Sequence, residues 1–110
     1  PKWSFVKVGD DGLVTEVAEK RPISDLATVG IYLYTRGRNF VSAAADMIAA
    51  NERVNGEFYV CPVYNYMIRE GARIGVYEVP TNSMWGLGTP DDLLTYLAAS
   101  GAPVSRDAPV

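Results

Sequence analysis

The sequence predicts one α/β domain, in which strands and helices pack as layers around a shared core. Three observations predict it: apolar residues alternate on both sides of an Asp-Asp-Gly turn, one apolar run has the composition of a buried strand, and three segments carry apolar residues at helical spacing. In chain order these give β-β-β-α-α-β-α. The predicted domain covers residues 1–100, and residues 101–110, which contain two prolines, form a tail.

Four strands are predicted, of two kinds. WSFVKV (3–8) and the segment 13–18 alternate in polarity and flank Asp10-Asp11-Gly12, so they form a hairpin with the aromatic side chains and the valines of the first strand on opposite faces. ATVGIYLY (27–34) is almost continuously apolar, which is typical of a strand buried on both faces. RIGVYEV (73–79) is predicted as the last strand.

Helical spacing and helix-end residues predict two helices in the middle of the chain. The first is capped by Asn39, runs to about Ala50, and buries one face, formed by Val41, Ala44, Ala45 and Ile48. The second begins at Pro62 and ends at Gly71. Its apolar stripe consists of Val63, Tyr64, Met67 and Ile68.

The third helix has the clearest boundaries. Thr89 is the N-cap, Pro90 occupies the first helical position, and the carboxylates of Asp91 and Asp92 oppose the positive end of the helix dipole. Gly101 ends the helix. Its predicted buried side chains are Leu93, Leu94 and Leu97.

The composition of the chain excludes or disfavours several kinds of active site and partner. The chain has no histidine, which excludes Ser/His/Asp and Cys/His nucleophilic centres and every His-ligated zinc site. Cys61 has no partner for an internal disulfide, and this favours a cytoplasmic location. A net charge of −3 with no basic stripe disfavours nucleic acid as a partner, and no apolar run is long enough to predict a membrane span.

Several short motifs resemble, in their order, a known family. They are EK at Glu19 and Lys20, VGIY (29–32), NGEFYV leading into PVYNYMI (55–68), and GLGTPDDLLTYL (86–97). This succession resembles the C-terminal half of a sugar-phosphate nucleotidylyltransferase domain. The resemblance implies part of a Rossmann-like nucleotide-diphospho-sugar transferase fold, with a mixed sheet flanked by helices, and an enzyme that couples an NTP to a sugar 1-phosphate, giving a nucleotide sugar and pyrophosphate.

The resemblance also assigns site residues. It implies that Lys20 holds the phosphate of the sugar 1-phosphate, while Glu19 accepts hydrogen bonds from sugar hydroxyls. Thr28 and Gly30 match the strand that lines the sugar pocket, and Glu57 is a further candidate for orienting the sugar. An ammonium suits a phosphate and a carboxylate is an acceptor for hydroxyls, so the residue chemistry agrees with this assignment.

Two features depart from the family pattern. The NTP-binding half, with its Gly-rich loop, arginine and PK motif, would precede Pro1, so the isolated chain is expected to be inactive and to associate with itself or with a complementary N-terminal half. Many family members carry a Mg²⁺-binding aspartate where this chain has Gly86. The resemblance implies that the complete enzyme uses Mg²⁺, and no ligand for it is identified in this chain.

Alternative interpretations remain open. An adjacent Glu-Lys pair is most often a solvated surface pair. Asp91 and Asp92 resemble a carboxylate pair that could bind a metal ion, but helix-start preferences alone account for both. The domain could be a non-catalytic module for sugar-phosphate binding or assembly, or an unrelated α/β domain whose motifs are all structural.

Overall fold

A computed structural model describes residues 2–101 of the chain, which divide into two units, one ending at Tyr77 and the other beginning at Glu78. The first unit contains β1 (Ser4–Val8), β2 (Val14–Glu19), α1 (Gly37–Ala49) and α2 (Val63–Arg69). The second contains a 3₁₀ turn at Thr81–Ser83 and α3 (Pro90–Ser100). Across the described residues, no helix is long and apolar enough to cross a membrane.

The predicted hairpin is confirmed. β1 and β2 pair antiparallel, with Ser4 opposite Glu19 and a bulge between Lys7 and Val8. The turn depends on Gly12, whose φ of +81° is a left-handed conformation that favours glycine. Strand alternation then turns the side chains of Ser4 and Val6 to the buried face.

The prediction of a strand buried on both faces at 27–34 is wrong for this chain. Only the start of the segment lies along β1, where the N–H of Thr28 donates to the Ser4 carbonyl at 2.8 Å. Farther on, Tyr32 and Tyr34 pack against the core, but Ile31 and Leu33 are each 84% exposed. The segment is therefore covered on one face and open on the other in the part of the chain that the structure describes.

The segment 73–79 is likewise not a strand. One backbone hydrogen bond joins it to β2, from the Val14 N–H to the Ile74 carbonyl at 2.8 Å. The sheet within residues 2–101 thus contains two strands, and the fold is α/β with a small antiparallel sheet and helices.

The structure corrects both the start and the buried face of α1. Asn39 lies inside the helix, and Arg36 occupies the N-cap position without a side-chain cap. The helix buries Ala43 and Met47 against α2, whereas Val41 and Ile48, predicted to be buried, are 65% and 54% exposed. Both faces have apolar residues at helical spacing, and the predicted Ala44 is partly buried against the same cluster as Met47, together with Phe40.

The prediction for α2 is confirmed at both ends. Pro62 is its N-cap, and Gly71 follows its last turn with a φ of +86°. Val63 and Tyr64 are buried as predicted. Asn65 joins this helix to β2, because its Oδ1 accepts from the Val17 N–H at 2.9 Å and its Nδ2 donates to the Val17 carbonyl at 2.8 Å.

Two apolar clusters form the core of the first unit, and α2 contributes to both. Tyr64 belongs to the cluster beneath the hairpin. Its ring stacks on Tyr34 with centroids 4.7 Å apart, and its hydroxyl donates to the Leu33 carbonyl at 2.8 Å. These contacts hold the segment 27–34 against α2 even though few backbone hydrogen bonds hold it to the sheet.

The boundaries of α3 are confirmed, but its buried side is not. The Thr89 hydroxyl accepts from the Asp92 N–H at 3.1 Å, and Gly101 ends the helix with a φ of +74°. Leu93 and Leu94 are nevertheless exposed, and Leu97 is only half-buried. The predicted tail lies outside the described residues apart from Gly101.

Thr89→Ala is expected to destabilise α3 by about 1 kcal/mol, because an N-cap hydroxyl that satisfies an otherwise unpaired N–H is lost. Hydrogen exchange of the α3 amides, measured by NMR, tests this. Thr89→Ser keeps the hydroxyl and serves as the control. Equal exchange in the alanine variant and the unaltered chain would show that the cap does not stabilise the helix.

Candidate functional site

A cleft of about 310 Å³ opens beside the end of the hairpin. Its walls come from the ends of β1 and β2, from the segment 27–34, and from the loop that precedes α2. The lining residues include three predicted site residues, Glu19, Thr28 and Gly30, and four that were not predicted, Ser4, Tyr32, Tyr59 and Cys61.

Glu19 is positioned by strand pairing. It is the last residue of β2 and lies opposite Ser4 in the register of the hairpin. The Ser4 hydroxyl donates to Oε2 of Glu19. Ser4 is only 6% exposed, so a buried hydroxyl fixes one oxygen of a carboxylate that lines the cleft.

A series of hydroxyls continues along the same wall. Thr28 Oγ1 lies 2.8 Å from the Tyr32 hydroxyl, and that hydroxyl donates in turn to the Ser4 hydroxyl at 3.4 Å. Thr28 and Tyr32 flank Gly30 in the sequence, and both side chains line the cleft. Burial raises the pKa of Tyr32, so its hydroxyl stays protonated at neutral pH. The wall therefore offers neutral hydroxyls beside one carboxylate, an arrangement that suits a polar ligand with many hydroxyls.

Gly30 lies between Thr28 and Tyr32 and takes a φ of +85°. A side chain at this position would meet nothing within 4 Å. Glycine is therefore favoured here by backbone conformation, and the space in front of it is open to the cleft.

Lys20 follows Glu19 in a left-handed conformation with a φ of +58°. Its ammonium Nζ donates to the Tyr59 hydroxyl at 2.7 Å and lies 4.7 Å from the centre of the Tyr59 ring. The hydrogen bond that Lys20 donates to Tyr59 raises the pKa of Lys20, with smaller contributions from the charges of Glu19 and Glu57. Lys20 is thus a stable cation.

Lys20 and Glu57 are outside the lining of the 310 Å³ cleft and are linked to it through Tyr59. The Tyr59 hydroxyl donates to Oε2 of Glu57 at 2.8 Å while accepting from Lys20. Lys20 also lines a second, more open cleft of about 630 Å³, together with Glu19, Arg21 and Arg53. The predicted residues therefore form two groups, Glu19, Thr28 and Gly30 in the first cleft and Lys20 with Glu57 at its border.

Sequence reasoning did not assign Ser4, Tyr32 or Tyr59 to the candidate site. One signal was available for Ser4, because strand alternation places it on the same face as two valines, where a buried hydroxyl needs a partner. Tyr32 and Tyr59 carry no such signal, because tyrosines in apolar runs are usually part of a core.

The described residues contain no ready-made group of metal-ligating side chains. Residues 2–101 contain no cluster of three or more carboxylate or cysteine side chains. The Asp92 N–H bonds to the Thr89 hydroxyl, which supports the helix-start interpretation of the Asp91 and Asp92 pair. Cys61 is buried, and its burial raises the pKa of the thiol, so it lacks the reactivity of a thiolate.

The comparisons with known proteins gave one informative match. No family model and no curated protein matches the chain. Among solved structures, the chain matches the crystal structure of a nucleoside-diphosphate-sugar pyrophosphorylase from Vibrio cholerae RC9, with a TM-score of 0.81 and 32% sequence identity. The match covers 88% of this chain and 41% of that chain, so this sequence spans less than half of the length of the neighbour. The predicted resemblance is confirmed: the chain is similar to part of a nucleoside-diphosphate-sugar pyrophosphorylase.

Proposed function

We propose that this chain is the C-terminal, sugar-phosphate-binding portion of a nucleotidyltransferase that couples an NTP to a sugar 1-phosphate. The observation that carries the proposal is the match to a pyrophosphorylase at 32% identity over 88% of the chain. The cleft beside Glu19 supports it. In the complete fold, the hairpin and the segment 27–34 would join a larger, Rossmann-like mixed sheet with strands from the remaining portion.

The proposed reaction needs no protein nucleophile. An oxygen of the sugar 1-phosphate attacks the α-phosphorus of the NTP, a new P–O bond forms, and the bond between the α-phosphorus and the bridging oxygen breaks to release pyrophosphate. Such a reaction is accelerated by positioning and by stabilising charge. This chain would bind the attacking partner, and the remaining portion would bind the nucleotide.

Each proposed role has a physical basis. Lys20 would hold the attacking phosphate, because its ammonium has N–H donors beyond the one that Tyr59 occupies. One carboxylate oxygen of Glu19 accepts a hydrogen bond from Ser4, and the other would accept a hydrogen bond from a sugar hydroxyl. Thr28, Gly30 and Glu57 would orient the sugar. Mg²⁺ would enter with the nucleotide phosphates, because the described residues contain no group of three or more metal-ligating side chains.

A second candidate is a non-catalytic module that binds a sugar phosphate without transferring it. Gly86, where many family members have an aspartate, favours this candidate. Incubation of the longest natural form of the protein with an NTP, a sugar 1-phosphate and Mg²⁺ separates the two. Formation of a nucleotide sugar and pyrophosphate supports the transferase, whereas binding without product supports the module.

The binding proposal predicts that Lys20→Met weakens the affinity for a sugar 1-phosphate by about tenfold, because a charge-assisted contact to phosphate is lost. NMR titration of the chain with glucose 1-phosphate measures it. Lys7→Met on β1 is the matched control, because Lys7 is an exposed lysine away from the cleft. Equal weakening in both variants would contradict a specific role for Lys20, and the absence of binding to the unaltered chain would contradict the proposal itself.

A further inference from the structure

Tyr59 is held in place by a tight turn. Asn55 and Gly56 have φ of +51° and +79°, and Val54 and Glu57 exchange two backbone hydrogen bonds across them at 2.9 and 3.0 Å. This is the geometry of a two-residue hairpin turn, for which Asn-Gly is the favoured sequence. The turn fixes the direction of the chain that leaves it.

Successive side chains after the turn have different surroundings. Phe58 packs against the core cluster of α1 and α2, and the Arg53 guanidinium lies 4.0 Å from its ring centre. Tyr59 belongs to neither core cluster; it is half-buried and lines the cleft. Its ring is therefore placed for contacts at the cleft rather than for packing in the core.

The Tyr59 hydroxyl joins two charged side chains that are far apart in the sequence. It accepts from Lys20 at 2.7 Å and donates to Glu57 at 2.8 Å, so both of its hydrogen-bonding functions are used. The ring face also lies under the ammonium at 4.7 Å, where its negative potential attracts a cation. Three interactions thus converge on one side chain.

We propose that Tyr59 is a positioning residue, which holds the Lys20 ammonium and the Glu57 carboxylate at the border of the cleft for an anionic sugar ligand. The inference rests on the proposed function and deepens it. Lys20 has a long, flexible side chain, and fixing it before the ligand arrives reduces the entropy lost on binding. Because the ring of Tyr59 lines the cleft and its hydroxyl bonds to Lys20, one side chain connects the sugar-facing wall to the phosphate-binding cation.

The decisive variant is Tyr59→Phe, which keeps the ring under the ammonium and removes only the hydroxyl. Tyr77→Phe is the matched control, because the Tyr77 side chain is exposed. Two quantities are measured in each variant: the pKa of Lys20 by NMR of its side chain, and the affinity for glucose 1-phosphate. Inorganic phosphate is titrated in parallel.

In Tyr59→Phe, we expect the pKa of Lys20 to fall and the affinity for glucose 1-phosphate to decrease about fivefold, as for the loss of a hydrogen bond to a charged group. Tyr77→Phe should change neither. A Lys20 pKa that stays at its original value in Tyr59→Phe, or an affinity that stays unchanged, would overturn the positioning role. Should the unaltered chain bind neither probe, the proposed function fails, and the pKa of Lys20 alone still decides whether Tyr59 positions the ammonium.

Discussion

Asn65→Ala is expected to lower the free energy of unfolding by about 2–3 kcal/mol. The Asn65 side-chain amide satisfies both the N–H and the carbonyl of Val17, and Val17 is one of the most deeply buried residues of β2. Alanine leaves both backbone groups without a partner in a site that water reaches poorly. Urea unfolding followed by circular dichroism measures the loss.

Two further variants test this explanation. Asn65→Asp retains an acceptor for the Val17 N–H but puts an oxygen opposite the Val17 carbonyl, so it should be destabilising as well. Asn39→Ala removes an exposed side chain from α1 and should change the stability by less than about 0.5 kcal/mol. If Asn65→Ala lowers the free energy of unfolding no more than Asn39→Ala does, the two hydrogen bonds between α2 and β2 do not stabilise the fold.

The exposed face of the segment 27–34 should make the isolated chain self-associate. Ile31 and Leu33 are each 84% exposed, and the backbone beyond Thr28 makes few hydrogen bonds to the hairpin. Burial of two such side chains contributes about 3 kcal/mol or more, so replacing both with lysine should weaken association at least about a hundredfold. Sedimentation equilibrium over a range of concentrations measures the effect.

The matched control replaces Val41 and Ile48 with lysine, because both are exposed apolar residues on α1. It should leave the association constant nearly unchanged. A monomer of 12.0 kDa at every concentration would contradict the prediction of self-association. The complementary portion of the fold, if added, should compete for the same face and dissociate the self-associated species.

Local sequence signals predicted the elements whose formation depends on local interactions. The hairpin follows from the Asp-Asp-Gly turn, and the ends of α2 and α3 follow from Pro62, Thr89 and the glycines that end them. The buried faces of the helices were harder to predict than their ends. In α1, apolar residues lie on more than one side, and only tertiary packing selects Met47 for the core. The segment 27–34 has strand-like composition, but a strand also needs partners along its edges, and composition does not report them.

Part of the lining of the candidate cleft was predicted from the sequence. Glu19, Thr28 and Gly30 line one cleft, and motif order identified them. The residues that connect the site, Ser4, Tyr32 and Tyr59, act through hydrogen bonds between distant parts of the chain. Such contacts leave no spacing pattern in a single sequence. The assignment of sugar and phosphate to these residues remains a prediction.

The left-handed backbone at Lys20 has an evolutionary consequence. Lys20 is a non-glycine residue with positive φ, and unlike Asn51 and Asn55, which share this conformation, it lacks the short polar side chain that makes such a conformation tolerable. Selection for thermodynamic stability alone would favour glycine at position 20. A lysine there indicates a compromise in which the backbone bears conformational strain and the surface keeps an ammonium. Laboratory evolution toward a more heat-resistant chain would therefore be expected to replace this lysine with glycine early, and with it the ammonium proposed to hold phosphate.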